Sequence, residues 1–128
     1  MSLDDAVQSW KRSAQEDWDV AEGLLRDKKY SYALFFVQQA IEKLIKGLHI
    51  KLHDDHPLFV HNLVLLAQKT EAKFTDEELE QLKEITTFNI SARYDSYKRE
   101  FYQKATGEYS KKWFETAKKI KIKLLSQI

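Results

Sequence analysis

From Ala33 to Leu52 apolar side chains recur every three or four residues, and further ones crowd between them: Ala33, Leu34, Phe36, Val37, Ala40, Ile41, Leu44, Ile45, Leu48 and Leu52. This spacing predicts a helix with an unusually wide apolar face. A wide face has to be covered by several neighbours. The helix, from Ser31 as its cap to about His53, is therefore expected at the centre of a bundle, with Tyr30 just outside it.

The rest of the chain supplies the neighbours. Leu3, Val7, Trp10, Ala14, Trp18, Ala21 and Leu25 form one narrower stripe on a first helix that runs to about Asp27. The "HDDHP" run breaks the pattern, because Pro57 disfavours a helical residue before it. A shorter helix is expected from about His61 to Thr70, with Leu63, Leu66 and Ala67 inward. Thr75 and Glu78 then form a capping box, and Phe74 with Leu79 a hydrophobic staple. The stripe behind that start is Leu79, Leu82, Ile85, Phe88 or Asn89, and Ala92. A last helix, about Glu108 to Ser126, is expected to bury Tyr109, Trp113, Ala117, Ile120 and Leu124. Three Gly and one Pro are too few for a fold made of many tight turns, and no segment alternates with a period of two. The expected fold is all-α: an up-and-down antiparallel bundle of about five helices with a four-helix core, one domain over residues 1–128.

Composition excludes several chemistries. With no cysteine there is no disulfide, thiol nucleophile or cysteine-based metal site. The first residues are acidic where a secretory leader is basic, and no apolar run reaches the ~20 residues that span a bilayer. A cytoplasmic protein without a membrane segment is expected. The net charge of +1 hides an asymmetry. Residues 98–128 hold nine Lys/Arg and three Glu, and the first 97 hold twelve Lys/Arg and seventeen Asp/Glu. Such a distribution suits an anionic ligand, an acidic partner or a solvated lysine face.

The segment "NISARYDSYKREFY", Asn89 to Tyr102, is where helical spacing stops. It mixes Arg93, Lys98 and Arg99 with Tyr94, Tyr97, Phe101 and Tyr102. An anchored surface loop accounts for this mixture, and so does a place for a phosphate and a flat ring. Arg93 presents a planar fork of five donors that serves a carboxylate and a phosphate alike. Tyr94 and Tyr97 suit either core plugs or stacking platforms. On the central helix, Gln39, Glu42, Lys43 and Lys46 stand in an apolar setting. Glu42 and Lys46 are spaced for an i,i+4 ion pair. His49, His53 and His56 sit close together, but no third metal ligand has enforced spacing, so neither a metal nor a cofactor is expected.

"QQAIEKLIKGL" in the central helix resembles the second-helix motif of HEPN domains, an all-helical family. "SAQEDWDVAEGLL", "VHNLVLLAQ" and "ARYD" are similar to further elements of that family, in the expected order along nearly the whole chain. The resemblance implies a homodimer with a cleft near the arginine element. Aromatic residues beyond one stripe per helix, such as Phe35, Phe88 and Phe101, fit such an interface. It also implies nucleotide, RNA or partner binding through Arg93, Tyr94, Tyr97, Lys98 and Arg99, with Gln39, Glu42, Lys43 and Lys46 in support. Many members are metal-independent ribonucleases with an Arg-x(4–6)-His motif. Here no histidine follows His61, so the ribonuclease histidine is missing after Arg93. The leading expectation is a non-nucleolytic module beside a minimal nucleotidyltransferase, as in toxin–antitoxin pairs. A ribonuclease toxin with an altered site and a purely structural dimer are the alternatives.

Overall fold

A computed structural model describes residues 2–91 and 93–128. They form six helices and no strand: α1 (Leu3–Arg26), α2 (Tyr30–His53), α3 (Leu63–Thr70), α4 (Asp76–Thr86), α5 (Asp95–Lys104) and α6 (Gly107–Gln127). The helical bundle expected from the sequence is present, with one helix more than expected. No described helix is long and apolar enough to cross a membrane.

The width of the α2 stripe has the expected result. α2 packs against each of the other five helices. Leu34, Val37, Ile41, Ile45 and Leu48 are fully buried. Burial of each such side chain is worth roughly 1.5–3 kcal/mol. α1 lies along α2 through Val7, Ala14, Trp18 and Ala21. The two helices approach closely at Gly47, where a Cβ would stand 3.2 Å from Trp10 Cβ. On the other side α6 brings in Phe114, Ala117, Ile120 and Leu124, with the Phe114 ring 4.6 Å from that of Trp18.

Several boundaries differ from those read in the sequence. α2 starts two residues earlier than expected, at Tyr30, and its N-cap is Lys29, which makes no side-chain cap hydrogen bond. Ser31 is therefore inside the first turn, buried, and not a cap. α3 is capped by Asn62 rather than starting at His61. The Thr75–Glu78 capping box is formed in both directions. α4 stops at Thr86, so Phe88 and Asn89 lie in the turn after it while remaining buried. Ala92 is outside the described residues. In α6, Ser110 and Phe114 are buried, and Tyr109 and Trp113 only partly so. Its seam is shifted by one residue at these first two positions only, and Ala117, Ile120 and Leu124 are buried as expected.

α5 is the helix that the sequence pattern hides. Phe101 is its only fully buried residue, with Tyr97 half-buried one turn before it. Two anchors spaced i,i+4 make a stripe too narrow to stand out among charged neighbours. They suffice because Phe101 meets Phe88 at 5.6 Å and the Tyr97 hydroxyl donates to the Thr87 carbonyl at 2.8 Å. Phe88 and Phe101 are thus core residues and not surplus surface aromatics.

Candidate functional site

The N-terminal turns of α2 and α5 face each other across an open groove of about 640 Å³. From α2 come Ser31, Tyr32 and Phe35; from α5 come Asp95, Lys98, Arg99 and Tyr102; Ile90 and Ser91 close the floor between them. Tyr32 and Tyr102 are 57% and 68% exposed, so their rings are open to a ligand. The groove joins two cations, one carboxylate, two hydroxyls of serine and three aromatic rings. Aromatic faces stack flat rings, and Lys and Arg meet phosphate oxygens.

Of the residues singled out in the sequence, Lys98 and Arg99 line this groove, whereas Arg93, Tyr94 and Tyr97 do not. Arg93 and Tyr94 stand in the exposed turn between Ser91 and Asp95, both of which do line it. The Arg93 guanidinium lies 4.9 Å from the Tyr97 ring centroid, and its Nε donates to the Asn89 carbonyl at 3.4 Å. No carboxylate pairs with it among the described residues. Tyr94 is 88% exposed. Tyr97 is a half-buried plug whose hydroxyl is satisfied by Thr87.

The polar residues of α2 form a separate network. Glu42 is buried and accepts from Gln38 Nε2 at 2.9 Å through one carboxylate oxygen and from Lys46 Nζ at 2.9 Å through the other. His61 Nδ1 stands 2.8 Å from the oxygen that Gln38 meets, which ties the approach to α3 onto α2. Gln39 donates to Gln38 Oε1 at 2.7 Å. Lys43 reaches α1 instead, 2.7 Å from Asp17 Oδ2 and 2.7 Å from Ser13 Oγ. None of these residues lines the α2–α5 groove. The network satisfies its own buried groups and fixes neighbouring helices, which is structural chemistry.

The histidine run is spent in a similar way. His49 and His53 stack at 4.9 Å, and His53 Nε2 meets the Thr70 carbonyl at 2.7 Å. No group of three possible metal ligands gathers among the described residues.

Part of the charge asymmetry is neutralised between helices. Lys104 pairs with Glu84 at 2.9 Å, and Lys123 pairs with Glu78. Burial raises the Glu84 pKa, but hydrogen bonds from Tyr109 and Lys104 outweigh it and hold the carboxyl below the ordinary glutamate value. Burial and then the Glu84 hydrogen bond push the Tyr109 phenol well above its ordinary value. Lys98 and Arg99, by contrast, form no ion pair among the described residues.

Ser31, Tyr32 and Asp95 were not evident from the sequence as groove residues. A signal for Tyr32 does exist. With Phe35 it forms an i,i+3 aromatic pair off the main stripe of α2, which the core does not require.

The model of the HEPN domain matches residues 7–126. The fold is similar to the crystal structure of TT1696 from Thermus thermophilus, with a TM-score of 0.80 and 22% identity over 95% of this chain and 98% of that one. No curated protein matches the sequence. The motifs in α1, α2, α3 and the Arg93 turn stand in the family's order within one helical bundle, and a match of that extent leaves one assignment: the chain belongs to the HEPN domain family.

Proposed function

We propose that the protein is a non-nucleolytic HEPN module that binds a nucleotide in the α2–α5 groove. The observation that carries this reading is the pairing, in one open groove, of exposed aromatic rings with two cations that form no ion pair among the described residues. Lys98 and Arg99 meet the phosphate, and Tyr32 or Tyr102 stacks on the base. Arg93 and Tyr94 extend the same cationic and aromatic surface at the approach. Catalysis is no part of this reading, because no histidine follows Arg93 and a tyrosine is a weak general base near neutral pH.

The test is calorimetric titration of wild type, Arg99→Ala, Lys98→Ala and Arg93→Ala with nucleotides. A cation that meets phosphate is worth about 1.5–3 kcal/mol, so losing Arg99 lowers affinity by roughly ten- to a hundredfold. Unchanged affinity in both the Lys98 and Arg99 variants would remove the groove from consideration.

A second reading is favoured by the exposure of Tyr32, Tyr94 and Tyr102, which suits a protein interface as well as a base. In it, a second copy of the chain or a nucleotidyltransferase partner docks on this side of the bundle. Light scattering that returns a monomer at micromolar concentration counts against the homodimer. Growth arrest on expression, relieved by Arg93→Ala, would instead favour the altered ribonuclease.

A further inference from the structure

Phe59 is 97% exposed, more than any other large apolar side chain among the described residues. It stands in the segment between α2 and α3, and that segment is tied down on both sides of it. Val60, the next residue, packs against the core. His61 is held at two points: its carbonyl accepts from Gln38 Nε2 at 3.3 Å, and its Nδ1 stands 2.8 Å from the buried Glu42 carboxylate. On the other side, the Asp54 amide donates to the Ile50 carbonyl at 2.8 Å and closes α2. A ring carried on an anchored segment is ordered before it meets a partner, which lowers the entropic cost of binding.

The chain does not use this ring itself, since Phe59 is not among the residues that line the α2–α5 groove. Its anchor nevertheless lies beside that groove. Gln38, which holds His61, is close to one helical turn along α2 from Phe35 of the groove wall. Charge follows the same division. Residues 54–60 hold two Asp and no Lys or Arg, and residues 93–99 hold three Lys/Arg and one Asp, so the two balances are equal and opposite. Asp54 and Asp55, like Lys98 and Arg99, form no ion pair among the described residues.

We propose that the α2–α5 groove receives Phe59 of a second copy of this chain, with Asp54 and Asp55 of that copy meeting Lys98 and Arg99. This rests on the reading in which a second copy docks on this side of the bundle, and it names the contact. The ring enters among Tyr32, Phe35 and Tyr102, where edge-to-face and offset contacts are available. A knob and a groove side by side along one helix are complementary under a two-fold rotation, so each copy gives one ring and takes one. The opposite charges steer the encounter and fix its register. The Glu42–His61 contact is then a positioning element, because it holds the segment that presents the ring.

The experiment is sedimentation equilibrium of the full chain at micromolar concentrations, as wild type, Phe59→Ser, Arg99→Glu and an equimolar mixture of the two variants. Both positions are exposed, and circular dichroism is the control that each variant is folded. The expected result is a wild-type dimer whose dissociation constant rises by roughly tenfold or more in each variant, the effect of losing an anchor residue. The mixture should associate more tightly than either variant alone, because one Phe59 still finds one intact groove. A dimer weakened by only one of the two substitutions, or variants that gain nothing on mixing, overturns the Phe59 contact. Weakening by Arg99→Glu alone would leave the groove a protein interface. A dimer that neither substitution weakens places the second copy elsewhere and overturns the contact. A monomeric wild type overturns the contact and the second-copy reading together, and leaves the groove to a nucleotide.

Discussion

Lys46 Nζ lies 2.9 Å from Glu42 Oε2, in a pair whose side chains are only 10% and 7% exposed. Removing one member of a buried pair leaves an uncompensated charge, at a cost of roughly 3–5 kcal/mol. Glu42→Leu should therefore destabilise the protein by about that amount. Glu42→Leu combined with Lys46→Met should recover most of the loss. Urea unfolding of the two single variants and the double variant measures this. Additive losses would mean that the two charges do not depend on one another.

Acid should unfold the protein through Glu78 and Glu84. Burial raises both pKa values, but the Lys123 contact at Glu78 and the Tyr109 and Lys104 contacts at Glu84 bring them below the ordinary value of 4.5. Near and below 4.5 the unfolded chain binds more protons than the folded one. Stability is thus present above that pH and is lost as pH falls through the folded values. Glu84→Gln should flatten part of the decline when unfolding is followed from pH 6 to pH 3.

Alkali tests the other end of the same contact. The Tyr109 phenol is held well above its ordinary value of 10.0, by burial first and by Glu84 second. Above pH 10 the unfolded chain loses a proton that the folded chain keeps, so stability falls as pH rises. Absorbance titration should show one of the six tyrosines resisting ionisation until the fold gives way. Tyr109→Phe should abolish that late phase.

Two hydroxyls near helix starts should behave in opposite ways. Thr75 accepts from Glu78 N at 3.0 Å, so Thr75→Ala should cost about 1 kcal/mol. Ser31 caps nothing, so Ser31→Ala should stay within about 0.5 kcal/mol of wild type. Thermal unfolding of the two variants side by side separates a hydroxyl that caps a helix from one that does not.

The contrast between these hydroxyls also shows what was legible in the sequence. Thr75–Glu78 is a local signal, complete within four residues, and the structure forms it as read. Ser31 is the same residue class before an equally good helix, yet packing of α2 against α1 and α6 draws the helical start back to Tyr30. Tertiary contact decided that boundary, and no local rule contains it. Likewise α5 depends on Phe88, seven residues before its start, because without that ring Phe101 has little to pack against. Lys98 and Arg99 were identifiable as cations out of pattern. Their groove was not, because its other wall is built by Ser31, Tyr32 and Phe35, more than sixty residues away in the chain.

The three residues between α1 and α2 have a kinetic consequence. Short loops close at little entropic cost, so this hairpin is the first large surface the chain can bury. α6 must find it from the far end of the chain, and its arrival is what sets Phe114 against Trp18. In refolding experiments, truncation of Val37 to Ala should therefore slow folding. Truncation of Leu124 should leave the folding rate nearly untouched and speed unfolding instead.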